Sequence, residues 1–460
     1  MRQTFLIVIT ALLFFVSCGT EDHGDTGDTG NTGDTGDTGD TGETDDVADS
    51  DDDDYADNTD TEDGDISESE ETPDLPTFED EDLLPPPSDS FLIQWGSGGR
   101  DFVQDVAVSD NGEIFITGAM VDDISGLHKI FLASFSAEGN LLWMHQMKSD
   151  HEYSFGNSIA LDSQGNIFVA GKANGSVDDA QSENGDILLV KYSKDGTPEW
   201  IRQWGGASAY SEMANGVAVD SEDNIFVTGA MTPKGKGYLN VFLAKYTTDG
   251  IKVWIKQWGT DVDNYGEDIV IDDNDNIFVL GTWELEADVF LAKYTADGSE
   301  IWKKQWWTVG NSVFKSMALD NDGNIFITGD PMGVSTSLEK RDINGELLWR
   351  RGIPGSSTYV NNKGNSVAVD MSGNVFVTGW TAADLGDNIN AGGYDAYLVK
   401  FSNDGKALWG KLWGAVMLES GNGVAVDSNG NVVVTGTTDG NLTDAPTVDG
   451  NMFLLSIKSQ

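Results

Sequence analysis

The chain carries a single cysteine, Cys18, in 460 residues, which excludes an internal disulfide and any cluster of thiolate metal ligands. Histidine numbers only 4 and proline only 10, so imidazole-rich metal sites have few possible ligands. Basic residues are sparse as well. Against 78 Asp and Glu stand 26 Lys and Arg, a net charge of −52, which lacks the cationic stripes that a nucleic-acid phosphate backbone requires. No hydrophobic stretch is long enough for a transmembrane helix. No nucleophile elbow, phosphate-binding glycine loop or helical periodicity is present.

What is present falls into three unlike parts. Residues 1–18 read "MRQTFLIVITALLFFVSC": one basic residue, then the apolar run Phe5 to Val16, too short to cross a bilayer but suited to a signal peptide. The stretch Phe15-Val16-Ser17-Cys18 resembles a bacterial lipobox, with Phe15 where that pattern has Leu. The resemblance implies that Cys18 becomes the first mature residue and carries lipid. An ordinary signal peptide with an incidental cysteine is the alternative. Residues 19–90 hold 29 Asp and Glu and no Lys or Arg, in triplets such as "GDTGDTG". With so little apolar surface to bury, this segment is expected to be a disordered acidic tether, spanning roughly 50 Å or more. Its Asp-Thr-Gly triplets lack the closing bidentate Glu of a calcium loop.

Residues 91–460 are repetitive. "DVAVSDNGEIFITG", "SIALDSQGNIFVAG", "GVAVDSEDNIFVTG", "DIVIDDNDNIFVLG", "SMALDNDGNIFITG", "SVAVDMSGNVFVTG" and "GVAVDSNGNVVVTG" are seven versions of one phrase. Their final glycines, Gly118, Gly171, Gly229, Gly281, Gly329, Gly379 and Gly436, are spaced 48 to 58 residues apart, a period that fits β-propeller blades. Each unit reads as four strands. A short first strand such as Val217-Ala218-Val219 leads through an Asp-rich turn to a second, Ile225 to Thr228, ended by Gly229. A third strand such as "VFLAKY" follows a variable loop, and an Asp-Gly or Asn-Gly turn leads to a Trp-rich fourth. The seventh unit stops at Gln460 without a fourth strand, whereas "FLIQWG", residues 91–96, is a fourth strand without the other three. The expected fold is therefore all-β: a seven-bladed β-propeller of four-stranded antiparallel blades, closed when strand 91–96 completes the C-terminal blade. Small first-strand residues such as Ala107, Ala160 and Ala218 are expected near the crowded axis. Trp pairs four apart, such as Trp200 and Trp204, are expected to pack between blades.

The phrase Asp-x-x-Gly-Asn-(Ile/Val)-(Phe/Val)-Val-Thr-Gly, followed by "FLAKY"-like strands, Asp-Gly and Trp, resembles the bacterial SBBP β-propeller repeat over essentially all of 91–460. That resemblance implies a secreted or surface propeller without an assigned activity. Blade five departs most, with Arg341 where other blades have Tyr or Phe, and local irregularity is expected there.

Candidate sites follow from position. Phe102, Tyr153, Tyr210, Tyr265 and Tyr359 precede the first strands, and with the variable loops 172–185, 380–393 and 437–450 they are expected on one face of the disc. Trp283 and Trp380 stand outside the repeated Trp columns and are the preferred individual contacts for a partner. Packing between blades is the competing role for such aromatics. Asp320, Asp322 and Asn324 resemble the start of a calcium loop, but they run straight into a strand, and a tight turn explains the same residue types. No catalytic residue, metal or cofactor is assigned; bound Ca2+ is the weak exception. His128, His145 and His151 form a thin metal candidate.

The expected function is a non-catalytic, lipid-anchored lipoprotein of the bacterial outer membrane or cell surface. It would be a monomer attached to the membrane by its lipid and would bind a protein or glycan, not nucleic acid. Alternatives are a quinoprotein-like propeller oxidoreductase, which needs charged residues near the axis, and a scaffold in outer-membrane protein assembly.

Overall fold

Six of the seven repeated phrases fold as an antiparallel pair around a turn that an Asp carboxylate organises, and the Ser109 hydroxyl takes that place in the first. In the third phrase, Asp220 Oδ1 accepts from Glu222 N and Asn224 N at 3.0 and 2.8 Å, while Asn224 Nδ2 returns to the same carboxylate. Asp162, Asp272, Asp320, Asp370 and Asp427 repeat this arrangement. The computed structural model describes residues 83–458 apart from 98, 122–125, 148–153, 174–180, 183–185, 206–210, 284–287, 308–312, 331–336, 355–361 and 444–450. These belong to one unit, Thr72–Gln460. Cys18, most of the tether, Tyr153, Tyr210, Tyr359, His151 and parts of loops 172–185 and 437–450 lie outside the described residues.

The architecture is all-β, with seven antiparallel sheets in a ring. From the axis outward, blade 1 consists of Phe102–Val108, Ile114–Val121, His128–Phe135 and Leu141–Gln146. Blades 2 to 6 begin at Phe155–Leu161, Met213–Val219, Asn264–Ile271, Val313–Leu319 and Asn362–Val369. Blade 2 adds a short fifth strand, Gln181–Ser182, parallel to its outer strand. Blade 7 is built from Glu419–Val426, Val432–Thr438, Met452–Ile457 and the N-terminal strand Asp89–Trp95. The closing strand runs antiparallel to the last one, from Asp89 opposite Ile457 to Trp95 opposite Met452. It begins two residues earlier than expected and stops before Gly96. Asp89 is held because its carboxylate accepts from Lys411 Nζ and Trp413 Nε1 of blade 6, at 2.7 and 3.2 Å.

The repeated glycines do not end the second strands, as the sequence suggested. Ile225–Met231 runs two residues past Gly229. The glycine is needed because the first strand bulges opposite it, bringing a backbone carbonyl so close that a Cβ at Gly379 would overlap the Lys363 oxygen. The other six final glycines meet the equivalent carbonyl.

The outer Trp column packs between blades. Trp204 of blade 2 lies 5.3 Å from the Tyr246 ring of blade 3, Trp258 lies 5.4 Å from Tyr294 of blade 4, and Trp95 lies 5.3 Å from Phe135 of blade 1. In blade 5 the column survives its change of chemistry. Arg341 stands where Tyr would, and its guanidinium lies 3.6 Å from the Trp306 ring centroid. The fully buried Glu339 accepts from Arg341 at 2.8 Å and from Arg350 at 2.5 Å, so the buried charge is paired. The stacking geometry is therefore retained where irregularity was expected.

Candidate functional site

The bulge in each first strand re-aims one side chain toward the axis. The bulged residues are Gln104, Asn157, Asn215, Glu267, Lys315, Asn365 and Asn422, one from each blade. Together with Asp105, Asp268 and neighbours they line an axial cavity of about 400 Å³. The small first-strand residues do not line it: Ala107, Ala160 and Ala218 pack against the cores between blades. The expectation that small first-strand residues would stand at the axis is thus corrected, because polar side chains, with Asp105, Glu267 and Asp268 among them, face it instead.

Two tiers of hydrogen bonds, each crossing five of the seven junctions, join the blades here. The Asn157 amide donates to Ala214 O, Asn215 to Gly266 O, Asn365 to Gly421 O and Asn422 to Val103 O, each bond running to the following blade at 2.7–2.9 Å. Glu267 and Lys315 replace that bond with a 2.9 Å ion pair. In the second tier, Ser158, Ser316 and Ser366 accept the backbone N–H of the equivalent strand in the next blade, and so do Asp105 and Asp268.

Both aspartates border the cavity yet are enclosed by the ring. Burial pushes Asp105 up to about 6 despite the N–H groups of Ile159 and Val106. Asp268 rises to about 7, mainly by burial, with the Asp105 charge adding to it against the donors Met317 N and Ile269 N. Each carboxylate already accepts two backbone N–H bonds.

A second recess, of about 300 Å³, lies where blades 6, 7 and 1 meet, at the end of the disc that carries the variable loops. Trp380 and Phe102 both line it, far apart in sequence but joined by ring closure. Tyr394, which the sequence reading missed, packs on Trp380 with ring centroids 4.3 Å apart. Arg100, Asp439 and Asn451 supply polar walls. The loops beside it are fixed by backbone bonds, Glu419 N donating to Tyr394 O and Asp439 N to Leu418 O, at 2.7 and 2.9 Å. Val416, Met417 and Leu418, in the same connection, form an exposed apolar run. The signal for it in the sequence is "AVML" following the Trp413-Gly414 strand end, where no other fourth strand is followed by three large aliphatic residues in a row.

Apart from Trp380 and Phe102, the candidates are not gathered there. Phe102 and Tyr265 lie within first strands rather than before them. Trp283 pairs with Asn264 whereas Trp380 pairs with Lys363, one register step different, so the two side chains face opposite sides of their sheets. Trp283 packs 5.9 Å from the Phe290 ring within blade 4. The Asp320 carboxylate is taken up by Asp322 N, Asn324, Asn403 Nδ2 and Lys340. Burial opposes its ionisation most strongly, but these donors together hold its pKa below the usual carboxylate range. Asp322 and Asn324 thus serve the turn. His128 Nε2 lies 2.9 Å from Arg100 O while His145 packs on Trp143, so they do not converge on one point.

Fold and repeats together define a seven-bladed β-propeller. Its repeats are of the SBBP type, and the beta-propeller repeat family model matches residues 143–177, 199–230 and 352–386. Among curated proteins, an uncharacterized WD repeat-containing protein of Acanthamoeba polyphaga mimivirus is 24% identical over 384 residues, covering 68% of this chain. The chain spans about a quarter of that relative, 26% of its length. Among solved structures, the WD40 domain of Neurospora crassa Pan2 is 11% identical with a TM-score of 0.48, covering 82% of this chain and 98% of that one. A puromycin hydrolase mutant is 14% identical with a TM-score of 0.49, covering 77% and 53%. A Bacteroides caccae protein of unknown function is 12% identical with a TM-score of 0.40, covering 64% and 93%.

Proposed function

We propose that this chain is a non-catalytic recognition module of the bacterial envelope, anchored as a monomer by lipid on Cys18 and displayed on the acidic segment 19–90. It binds a protein or glycan partner through the loop-bearing face. The observation that carries the reading is the recess at blades 6, 7 and 1, with aromatic walls, fixed loops and the exposed run Val416-Met417-Leu418 beside it. The test is capture of cell-surface protein and glycan by the full-length chain, compared with Val416→Asp plus Met417→Asp and with Trp380→Ala. Partners lost in the variants at unchanged melting temperature support the reading; a partner set indifferent to all three substitutions overturns it. Partners that are membrane assembly proteins would specify the scaffold role.

One observation favours a second reading, an enzyme: carboxylates with raised pKa face the axial cavity. Their occupied hydrogen bonds weigh toward a structural role. Visible absorbance from a bound quinone in purified protein would favour the oxidoreductase alternative.

A further inference from the structure

The geometry points to the recess at blades 6, 7 and 1 as a subsite for a single saccharide unit, such as the end of a glycan chain. This deepens the recognition reading above and rests on it.

The walls combine what a sugar ring presents: an apolar C–H face and an edge of hydroxyls. Trp380 and Tyr394 supply aromatic surface on which such a face can lie, while Phe102, packed against His128 and Phe155 with the Arg100 guanidinium over its ring, closes the wall beside them. Arg100 and Asp439 supply the edge chemistry, since a guanidinium donates two parallel bonds and a carboxylate accepts two. Both are exposed, and neither forms a salt bridge among the described residues. Their backbones are nevertheless fixed: His128 Nε2 lies 2.9 Å from Arg100 O, and Asp439 N donates to Leu418 O at 2.9 Å. A ligand therefore meets charged groups on anchored backbone, with the Arg100 guanidinium held 5.7 Å from the Phe102 ring centroid, which lowers the cost of ordering the site.

Size sets the reach. About 300 Å³ is the small end of the range for ligand pockets, about 300–1,000 Å³, so the recess takes one small unit rather than a length of polymer. A purely hydrophobic peptide anchor would leave Arg100 and Asp439 facing it without partners, a cost that a polyhydroxylated ligand avoids.

The experiment is saturation-transfer NMR of the full-length chain against a panel of free neutral, amino and acidic monosaccharides, followed by titration of any that bind. Expected is binding of at least one sugar, weakened tenfold or more in both Trp380→Ala and Asp439→Asn. Asp439 is exposed, so its amide variant retains the fold even where loss of the indole does not. No binding by any sugar, or affinities unchanged in Asp439→Asn, overturns the inference. If surface capture still depends on Val416 and Met417 in that case, the recognition reading survives with a protein partner. If capture is indifferent to those two residues and to Trp380 as well, both fall.

Discussion

Asp105 on the innermost strand of blade 1 and Gly423 on that of blade 7 are complementary. Gly423 has no side-chain oxygen to offer the Val106 N–H, and Asp105 Oδ1 accepts that bond instead at 2.8 Å. Its second oxygen reaches Ile159 N of blade 2 at 2.9 Å. Asp268 and Gly216 repeat the arrangement at blade 4, with Ile269 N at 2.7 Å and Met317 N at 2.7 Å. Where the blade before offers Ser, one acceptor per blade suffices. Where it offers Gly, the next blade needs a residue with two acceptors. The axial carboxylates are explained by this accounting of buried backbone donors.

The first prediction concerns pH. A folded-state pKa raised to about 6 for Asp105 and about 7 for Asp268 means that the folded chain holds these protons more tightly than the unfolded chain does. Their contribution to stability is full below about pH 4 and is lost as pH rises through 6 to 7. Because both side chains are half-buried and border the axial cavity, their charges are partly screened, and the pair accounts for on the order of 1–3 kcal/mol. Asp105→Ser alone should cost about 1–3 kcal/mol at pH 4.5, because Val106 N loses its acceptor. Adding Gly423→Ser should restore it, as Ser366 already does for Val424 N at 3.2 Å. The gap between urea midpoints at pH 4.5 and 7.5 should narrow in the double variant, with Asp268 supplying what remains; an unchanged gap would mean that Asp105 is not a proton sink.

The second prediction concerns the buried charges of blade 5. Glu339→Ala leaves the guanidinium groups of Arg341 and Arg350 without their common partner and should cost about 3–5 kcal/mol. Replacing all three, Glu339→Ala with Arg341→Tyr and Arg350→Ile, recreates the blade 3 set Ala244, Tyr246 and Ile255. Thermal melts should show most of the loss recovered. A triple variant no more stable than Glu339→Ala would show that Trp306 requires the guanidinium.

How much of this was legible follows from where each signal resides. The seven phrases, the Asp turns and the displaced fourth strand are local or periodic, so architecture and closure could be read directly. The acceptor ring stood at the first letter of every phrase, at Asp105, Ser158, Gly216, Asp268, Ser316, Ser366 and Gly423. Asp, Ser and Gly also suit turns, however, and only the bulge just before each sets them against the neighbouring blades. Arg341 looked irregular because its compensation comes from Glu339 and Arg350, on the same and the adjacent strand. Trp380 and Phe102 were each chosen singly, and their meeting depends on closure of the ring.

The third prediction tests the repeated glycine. A Cβ at Gly379 would collide with the Lys363 carbonyl, which is backbone and cannot step aside. Gly379→Ala should therefore either flatten the bulge or separate the two strands, at a cost of about 1–3 kcal/mol. Because Asn365 sits at that bulge and joins blade 6 to Gly421 O of blade 7, its bond should weaken too. Amide exchange should then quicken along Asn362–Val369 and Glu419–Val426. Exchange confined to blade 6 would show that the bulge does not transmit across the junction.

The fourth prediction is that closure can be supplied in trans. Phe91, Ile93 and Trp95 pack against the core shared by blades 7 and 1, so a chain beginning at Gly96 loses on the order of 5 kcal/mol of apolar burial. It also uncovers the edge of Met452–Ile457, a buried apolar strand whose backbone groups would seek another partner. Oligomers should appear on size exclusion. A synthetic peptide of residues 83–97 should bind that edge in the register Asp89 to Ile457 and return the chain to monomer. The same peptide with Ile93→Asp should fail, since its backbone can pair but its side chain places a charge in the core. Rescue by both peptides alike would mean that backbone pairing alone closes the ring and that the side-chain contacts between blades 7 and 1 contribute little.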